Sequence, residues 1–82
     1  MIKVKFFGVL RLDLNTASVE VEASNIKEVY EKLGGMFETL KAKELKNYVT
    51  FVNGENIINL KMQSTKLKSG DEVILMSPVS GG

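Results

Sequence analysis

Apolar and polar residues alternate at the start of the chain and again after a short interval. Ile2, Val4 and Phe6 alternate with two lysines, which is the two-residue period of a strand with one buried face. A second alternating run covers 17–23. Because only 8–16 joins the two runs, we predict an antiparallel pair connected by a loose turn.

The apolar period changes in the next part of the chain. Four apolar residues follow helical spacing, namely Ile26, Val29, Tyr30 and Leu33. Asn25 precedes them and Glu28 follows three positions later, a pattern typical of a capping box. We expect Gly34 and Gly35 to end this helix, because glycine readily adopts a left-handed C-terminal cap. A second, short helix is predicted over 36–45.

The last third of the chain returns to strand-like patterning. Residues 48–52 are rich in β-branched and aromatic types, and the Asn-Gly pair at 53–54 is a strong turn dipeptide. Residues 57–58 suit a short strand after that turn. A further turn at Gly70 precedes the last predicted strand, 72–76.

Strands therefore precede and follow one principal helix, which indicates an α+β domain with the helix on one face of a mixed sheet. The first and last strands are apolar enough to lie centrally and to pair in parallel, the arrangement of a β-grasp (ubiquitin-like) fold. We predict one domain over 1–76, followed by a projecting tail over 77–82.

Composition removes many kinds of function. The 82 residues carry 11 Lys+Arg and 10 Asp+Glu, and they include no Cys and no His. A net charge of +1 gives no electrostatic reason to expect nucleic acid or a membrane surface as a partner. Without thiols or imidazoles we expect no metal site, no bound cofactor and no stand-alone catalysis. The apolar runs are too short for a signal peptide or a membrane span, so we expect a cytoplasmic protein.

The tail carries the group with the clearest chemistry. Pro78 cannot donate to a sheet ladder, so regular structure should end there. The chain then finishes in Gly81 and Gly82, which lack a Cβ and permit close approach to an extended backbone. The terminal carboxylate is ionised at neutral pH and is able to attack the α-phosphate of ATP. The resulting acyl-adenylate would accept a sulfur donor, giving a thiocarboxylate, or a lysine amine, giving an isopeptide bond.

Four motifs in order resemble one known family. They are FFG-x-x-R at 6–11, V-N-G-E at 52–55, L-x-x-G-D-E-V at 67–73 and P-V-S-G-G at 78–82. The chain is similar over its whole length to the MoaD/ThiS family of ubiquitin-like sulfur carriers, and most similar to the small subunits of molybdopterin synthase. Ser77 departs from the proline or acidic residue that many relatives have there, which leaves the terminal chemistry untouched.

The resemblance implies a function, partners and site residues. An E1-like activating enzyme (MoeB/ThiF-like) would use ATP to adenylate Gly82, which would then carry sulfur as a thiocarboxylate, with Gly81 as the slender neck behind it. The tail would enter a large synthase subunit (MoaE-like) in a heterotetramer of two small and two large subunits. There it would donate sulfur to cyclic pyranopterin monophosphate. Sulfur delivery for thiamine or tRNA, protein modification through Gly82, and a β-grasp interaction module remain as alternatives.

Other residues are predicted to contact partners. Strand parity places Ile74, Met76 and the out-of-phase Phe7 on the open face of the sheet, opposite the helix, where apolar side chains often mark interfaces. Coverage by a loop, or isolated exposure, is the alternative. Arg11, the only arginine, either contacts a partner or is solvated. In the tail, partner contacts are predicted for Pro78, Val79 and Ser80.

Overall fold

The computed structural model describes residues 1–78, which form a mixed sheet with helices packed on one face. The strands are β1 (Ile2–Phe7), β2 (Ser18–Val21), β3 (Val49–Val52), β4 (Glu55–Asn56) and β5 (Glu72–Met76). The helices are α1 (Val9–Leu14), α2 (Ile26–Met36) and α3 (Ala42–Leu45). Two 3₁₀ turns, Ile57–Asn59 and Met62–Ser64, connect β4 to the segment before β5.

The first and last strands meet in the middle of the sheet. The strand order is β2-β1-β5-β3-β4, with β1 parallel to β5 and the other neighbouring pairs antiparallel. Val4 lies opposite Val73 in the parallel register. The predicted α+β class and β-grasp arrangement, with the first and last strands central and parallel, are therefore confirmed.

The core lies between the inward face of this sheet and α2. Alternate strand residues are almost fully buried, as the two-residue period predicts, and they are Ile2, Val4, Phe6, Val73 and Leu75. The four predicted apolar residues of α2 are buried against them. Burying one large aliphatic or aromatic side chain contributes about 1.5–3 kcal/mol, so this layer is the main source of stability.

The connection between the first two strands is a helix and not the loose turn that we predicted. Gly8 has φ 66° and ψ −142°, a conformation that only glycine adopts without strain, and it turns the chain directly into α1. Leu10 is buried and Leu14 is half-buried, so one side of α1 packs on the core. Asn15, at φ 51°, caps the helix in the left-handed conformation.

The principal helix begins as predicted but ends later. The Asn25 side chain accepts a hydrogen bond from the Glu28 amide at 2.8 Å, which confirms the N-cap. Gly34 and Gly35 lie inside α2, so the predicted glycine stop is wrong. The helix ends after Met36, where Phe37 becomes extended and packs its ring edge-on against Phe6 at 5.7 Å between centroids.

The other two local predictions are also corrected. The second helix covers only Ala42–Leu45, because the chain before it is drawn into the core by Phe37 and the buried Leu40. After the turn at 53–54, the short strand is Glu55–Asn56 and not 57–58. The Asn56 side chain accepts a hydrogen bond from the Ile58 amide at 2.9 Å, which caps a 3₁₀ turn and takes the chain out of the sheet.

Candidate functional site

The candidate site is the place where the central strand ends. Met76, the last residue of β5, lies opposite Phe7 of β1 and Val49 of β3. The root of the tail is therefore held from both sides by neighbouring strands. Ser77 is half-buried and Pro78 is exposed. The four remaining predicted residues, Val79, Ser80, Gly81 and Gly82, lie outside the described residues.

The open face of the sheet, opposite α2, carries an apolar patch beside this root. The predicted residues Phe7, Ile74 and Met76 lie on this face, because their strand neighbours point into the core. Phe7 is 46% exposed, and Ile74 and Met76 are half-buried. The structure thus brings the three residues together on two adjacent central strands.

Two further residues of the patch were missed at the level of sequence. Val49 lies opposite Met76, and Phe51 lies opposite Ile74. Both are half-buried, whereas the residues that alternate with them in β3 are buried. Strand parity within 48–52 indicates that Val49 and Phe51 share one face. It does not indicate that β3 lies next to β5. We call the set Phe7, Val49, Phe51, Ile74 and Met76 the open-face patch.

Charged side chains border the open-face patch at the end away from the tail. The Lys5 ammonium lies 3.1 Å from a carboxylate oxygen of Glu72, and both side chains are more than a third exposed. An exposed pair of this kind contributes little to stability. It marks the boundary where the open face changes from apolar to polar.

Arg11 lies in α1, the helix that follows β1, with its side chain exposed. Within residues 1–78 it takes part in no salt bridge. Its carbonyl accepts hydrogen bonds from the amides of Asn15 and Thr16, so the backbone of Arg11 helps to close the helix. The structure does not bring the Arg11 side chain onto the open-face patch, and a role in partner binding stays a prediction.

The two central motifs of the sequence are joined by a hydrogen-bond network. The Asp71 carboxylate accepts from the Lys68 amide at 2.9 Å and from the Asn53 side-chain amide at 3.0 Å. The Asn53 side-chain oxygen in turn accepts from the Glu72 amide at 2.9 Å. The hydrogen bonds from Lys68 and Asn53 lower the pKa of Asp71. These residues cross-link two turns, which is a structural role.

Three other features of the described residues concern metal ions, membranes and surface hollows. Within residues 1–78, no three Asp, Glu, His or Cys side chains are grouped so as to hold a metal ion. None of the helices in this range has the length and apolar content needed to span a bilayer. A surface hollow of about 800 Å³ lies between α2 and α3 and is lined by residues including Glu31, Leu40 and Lys41. It is an open groove of mixed charge, and none of its lining residues belongs to the open-face patch.

Comparisons with known proteins agree with the fold. The model of the ThiS family matches residues 4–82. A chain of the complex of subunits 1 and 2 of molybdopterin-converting factor from Helicobacter pylori is 30% identical, with a TM-score of 0.66, and the match covers 99% of this chain and 97% of that one.

Two further solved structures are similar. Small archaeal modifier protein 1 from Methanosarcina acetivorans is 28% identical, with a TM-score of 0.87, over 99% of this chain and 95% of that one. A chain of the BexX/CysO complex of Amycolatopsis orientalis matches over the full length of both chains at 20% identity and a TM-score of 0.82, a likeness of fold alone. Curated protein sequences give no match.

Proposed function

The chain belongs to the ThiS family of ubiquitin-like proteins, and we propose that it is the sulfur carrier of molybdopterin formation. The observation that carries this proposal is the 30% identity, over 99% of the chain, to a chain of the complex of subunits 1 and 2 of molybdopterin-converting factor. The resemblance of the motif set to the small synthase subunits supports the same branch of the family.

The proposed reaction takes place at the carboxylate of Gly82. A carboxylate oxygen forms a bond to the α-phosphorus of ATP, and the bond to pyrophosphate breaks, which leaves an acyl-adenylate. A hydrosulfide ion then attacks the carbonyl carbon, AMP leaves with the bonding electron pair, and the sulfur loses its proton. The product is a thiocarboxylate, which donates its sulfur to cyclic pyranopterin monophosphate and returns to the carboxylate on hydrolysis.

The chain supplies the carrier, and its partners supply the catalytic groups. ATP binds to an E1-like activating enzyme, and the pterin binds to a large synthase subunit, so the chain itself needs no cofactor, Cys or His. The open-face patch beside the tail root is the proposed contact for both partners. Its two phenylalanines and one methionine are residue types that are enriched at interface centres. We extend this proposal to a heterotetramer with the large subunit.

A second candidate is a protein modifier that is attached to lysine through Gly82. The 28% identity and TM-score of 0.87 to small archaeal modifier protein 1 from Methanosarcina acetivorans favour keeping it. The two candidates share adenylation and differ in the nucleophile that follows. Sulfur delivery for thiamine or tRNA shares the thiocarboxylate and differs only in the acceptor.

The intact mass of the chain purified from its own host separates these candidates. Replacement of one oxygen by sulfur at the C-terminus supports the carrier, whereas covalent adducts with other proteins support the modifier. Recovery of the unmodified chain alone, even after incubation with an activating enzyme, ATP and a sulfur source, would contradict the carrier. Conversion of cyclic pyranopterin monophosphate by the thiocarboxylated chain and a large subunit then tests the pterin branch.

Deletion of Gly81 and Gly82 is an independent test. We expect unchanged folding, because the described fold is complete without these residues, together with complete loss of sulfur transfer. Ile58→Gln is the matched control, since Ile58 is 70% exposed and lies in a 3₁₀ turn that follows the edge strand β4. The control should fold and transfer sulfur like the natural chain. Sulfur transfer by the shortened chain would refute the role given to Gly82.

A further inference from the structure

The helix that replaces the predicted turn exposes two apolar side chains. Val9 is 62% exposed and Leu12 is 78% exposed, while Leu10 and Leu14 occupy the inward side of α1. Residues three positions apart are neighbours on a helix surface, so Val9 and Leu12 form one apolar pair that faces solvent. A single exposed leucine is unremarkable. Two exposed apolar side chains beside another exposed apolar surface are less usual.

The pair stands next to the root of the tail. Phe7, which belongs to the open-face patch, lies opposite Met76 in the parallel register. Only Gly8 separates Phe7 from the first residue of α1. Because β1 and β5 are parallel and end side by side, α1 begins at the same end of the sheet at which β5 ends and the tail begins.

The length of the tail restricts what can approach Gly82 without also approaching α1. Four residues separate Pro78 from the C-terminus, and an extended chain spans at most about 3.6 Å per residue. Gly82 is thus always within about 14 Å of Pro78. An enzyme that encloses the terminal carboxylate must place the rim of its active site against the surface around the tail root.

We infer that Val9 and Leu12 form a second docking element for the enzyme that adenylates Gly82, with Leu12 as its main anchor. The inference rests on the proposed function. The adenylating enzyme is the occupant because adenylation comes first in every candidate reaction of the tail, whether the acceptor is a pterin, thiamine, tRNA or a lysine. Leu12 would enter an apolar depression beside the channel that receives the tail, and the open-face patch would contact the same enzyme on the other side of the channel.

The test measures pyrophosphate release by the activating enzyme from the same host, with the full chain as the varied substrate. Leu12→Gln keeps a good helix former at an exposed position, so folding should not change. We expect KM for the chain to rise about ten-fold, as for loss of an interface anchor, while kcat remains the same because the carboxylate chemistry is unaltered. Val9→Gln should raise KM less, because Val9 offers the smaller side chain.

Ile58→Gln is the control, since it removes an apolar side chain of similar exposure in the turn that follows β4, the edge strand three places from β1 in the sheet order. Unchanged KM for Leu12→Gln, with the natural chain active, would overturn this inference and leave the proposed function intact. An equal rise for Leu12→Gln and Ile58→Gln would also overturn it, since the effect would not be local. Failure of the natural chain to be adenylated would overturn both the inference and the proposed function.

Discussion

The Asp71 carboxylate shows how a single side chain holds two distant turns together. It is 8% exposed and accepts from the Lys68 amide and the Asn53 side chain. Asn53 is one of the two positive-φ residues of the β3–β4 turn, at φ 50° with Gly54 at φ 88°. Asp71 therefore connects the turn before β5 to the turn after β3, two segments that are neighbours only in the folded chain.

Replacement of Asp71 by Ala should lower the free energy of unfolding by about 1–3 kcal/mol at neutral pH, because a buried acceptor of two hydrogen bonds is lost. Asp71→Asn is the matched control and should lose less, since its amide oxygen still accepts. Urea denaturation of the three proteins measures the difference. Equal stability of all three would contradict a structural role for the carboxylate.

The contribution of Asp71 should also depend on pH. The folded protein lowers its pKa below the ordinary 3.8, chiefly through the hydrogen bond from the Lys68 amide. The stabilisation is therefore present above pH 3.8 and is lost as the pH falls through the lower folded pKa. Urea denaturation of the natural protein and Asp71→Ala measures their free energies of unfolding across the acid range. The difference between the two should shrink as the pH falls. A difference that grows with acidity would be inconsistent with the lowered pKa.

A second residue-scale prediction concerns the hydrogen bond between Tyr30 and Thr50. Their hydroxyl oxygens are 2.7 Å apart, and both side chains are about 1% exposed. Tyr30→Phe should cost about 1–3 kcal/mol, because it leaves a buried hydroxyl without a partner. The double variant with Thr50→Val should cost less than the two single variants added together, since no polar group is then left behind. Thermal denaturation in a double-mutant cycle measures the coupling, and strict additivity would contradict it.

At the scale of elements, the two glycines of α2 differ because of what packs against them. A Cβ on Gly34 would lie 3.3 Å from the Ala42 backbone nitrogen, whereas a Cβ on Gly35 would meet nothing within 4 Å. Gly34 therefore allows the end of α2 to approach the start of α3 closely. No packing contact requires glycine at position 35, so Gly35 only lowers the stability of the helix.

The two positions should respond differently to alanine. Gly35→Ala should raise the free energy of unfolding by about 0.5–1 kcal/mol, the usual cost of glycine in a helix. Gly34→Ala should be the less stable of the two variants, because its gain in propensity is offset by contact with Ala42. Chemical denaturation of both proteins gives the comparison. If Gly34→Ala were as stable as Gly35→Ala, the contact with Ala42 would not reduce stability, and this prediction would be wrong.

At the scale of the whole molecule, the parallel pairing of β1 and β5 places the candidate site. It puts Met76 between two neighbouring strands, so the tail leaves from the middle of the sheet and not from an edge. The open-face patch lies on the same three strands. A partner that engages the tail therefore meets a surface whose position relative to the tail root is set by the sheet.

Met76→Asp should weaken binding to the activating enzyme and to the large subunit by about ten-fold or more, because a charge would be desolvated within an apolar interface. Leu60→Asp is the matched control, since it places the same charge on an apolar residue that is 40% exposed and lies outside the open-face patch. Titration calorimetry of each pair measures the affinities, with thermal denaturation to verify folding. Unaltered binding of Met76→Asp to both partners would contradict the predicted interface.

Short-range patterning determined much of this protein from the sequence alone. The burial parity of β1 and β5, the N-cap at Asn25, the turn at 53–54 and the bounds of β5 all follow from residues within a few positions of one another. The ordered motifs also identified the family. Local periodicity is reliable here because each of these features forms from its own segment.

Tertiary structure decided the features that depend on distant partners. The helix continues through Gly34, where the backbone of Ala42 at the start of α3 lies close by. Residues 9–14 form a helix whose inward side is packed on the core by Leu10. Val49 and Phe51 belong to the open-face patch because β5 lies between β1 and β3. Each of these outcomes depends on contacts between different segments of the chain. The apolar pattern within one segment does not determine which other segment packs beside it.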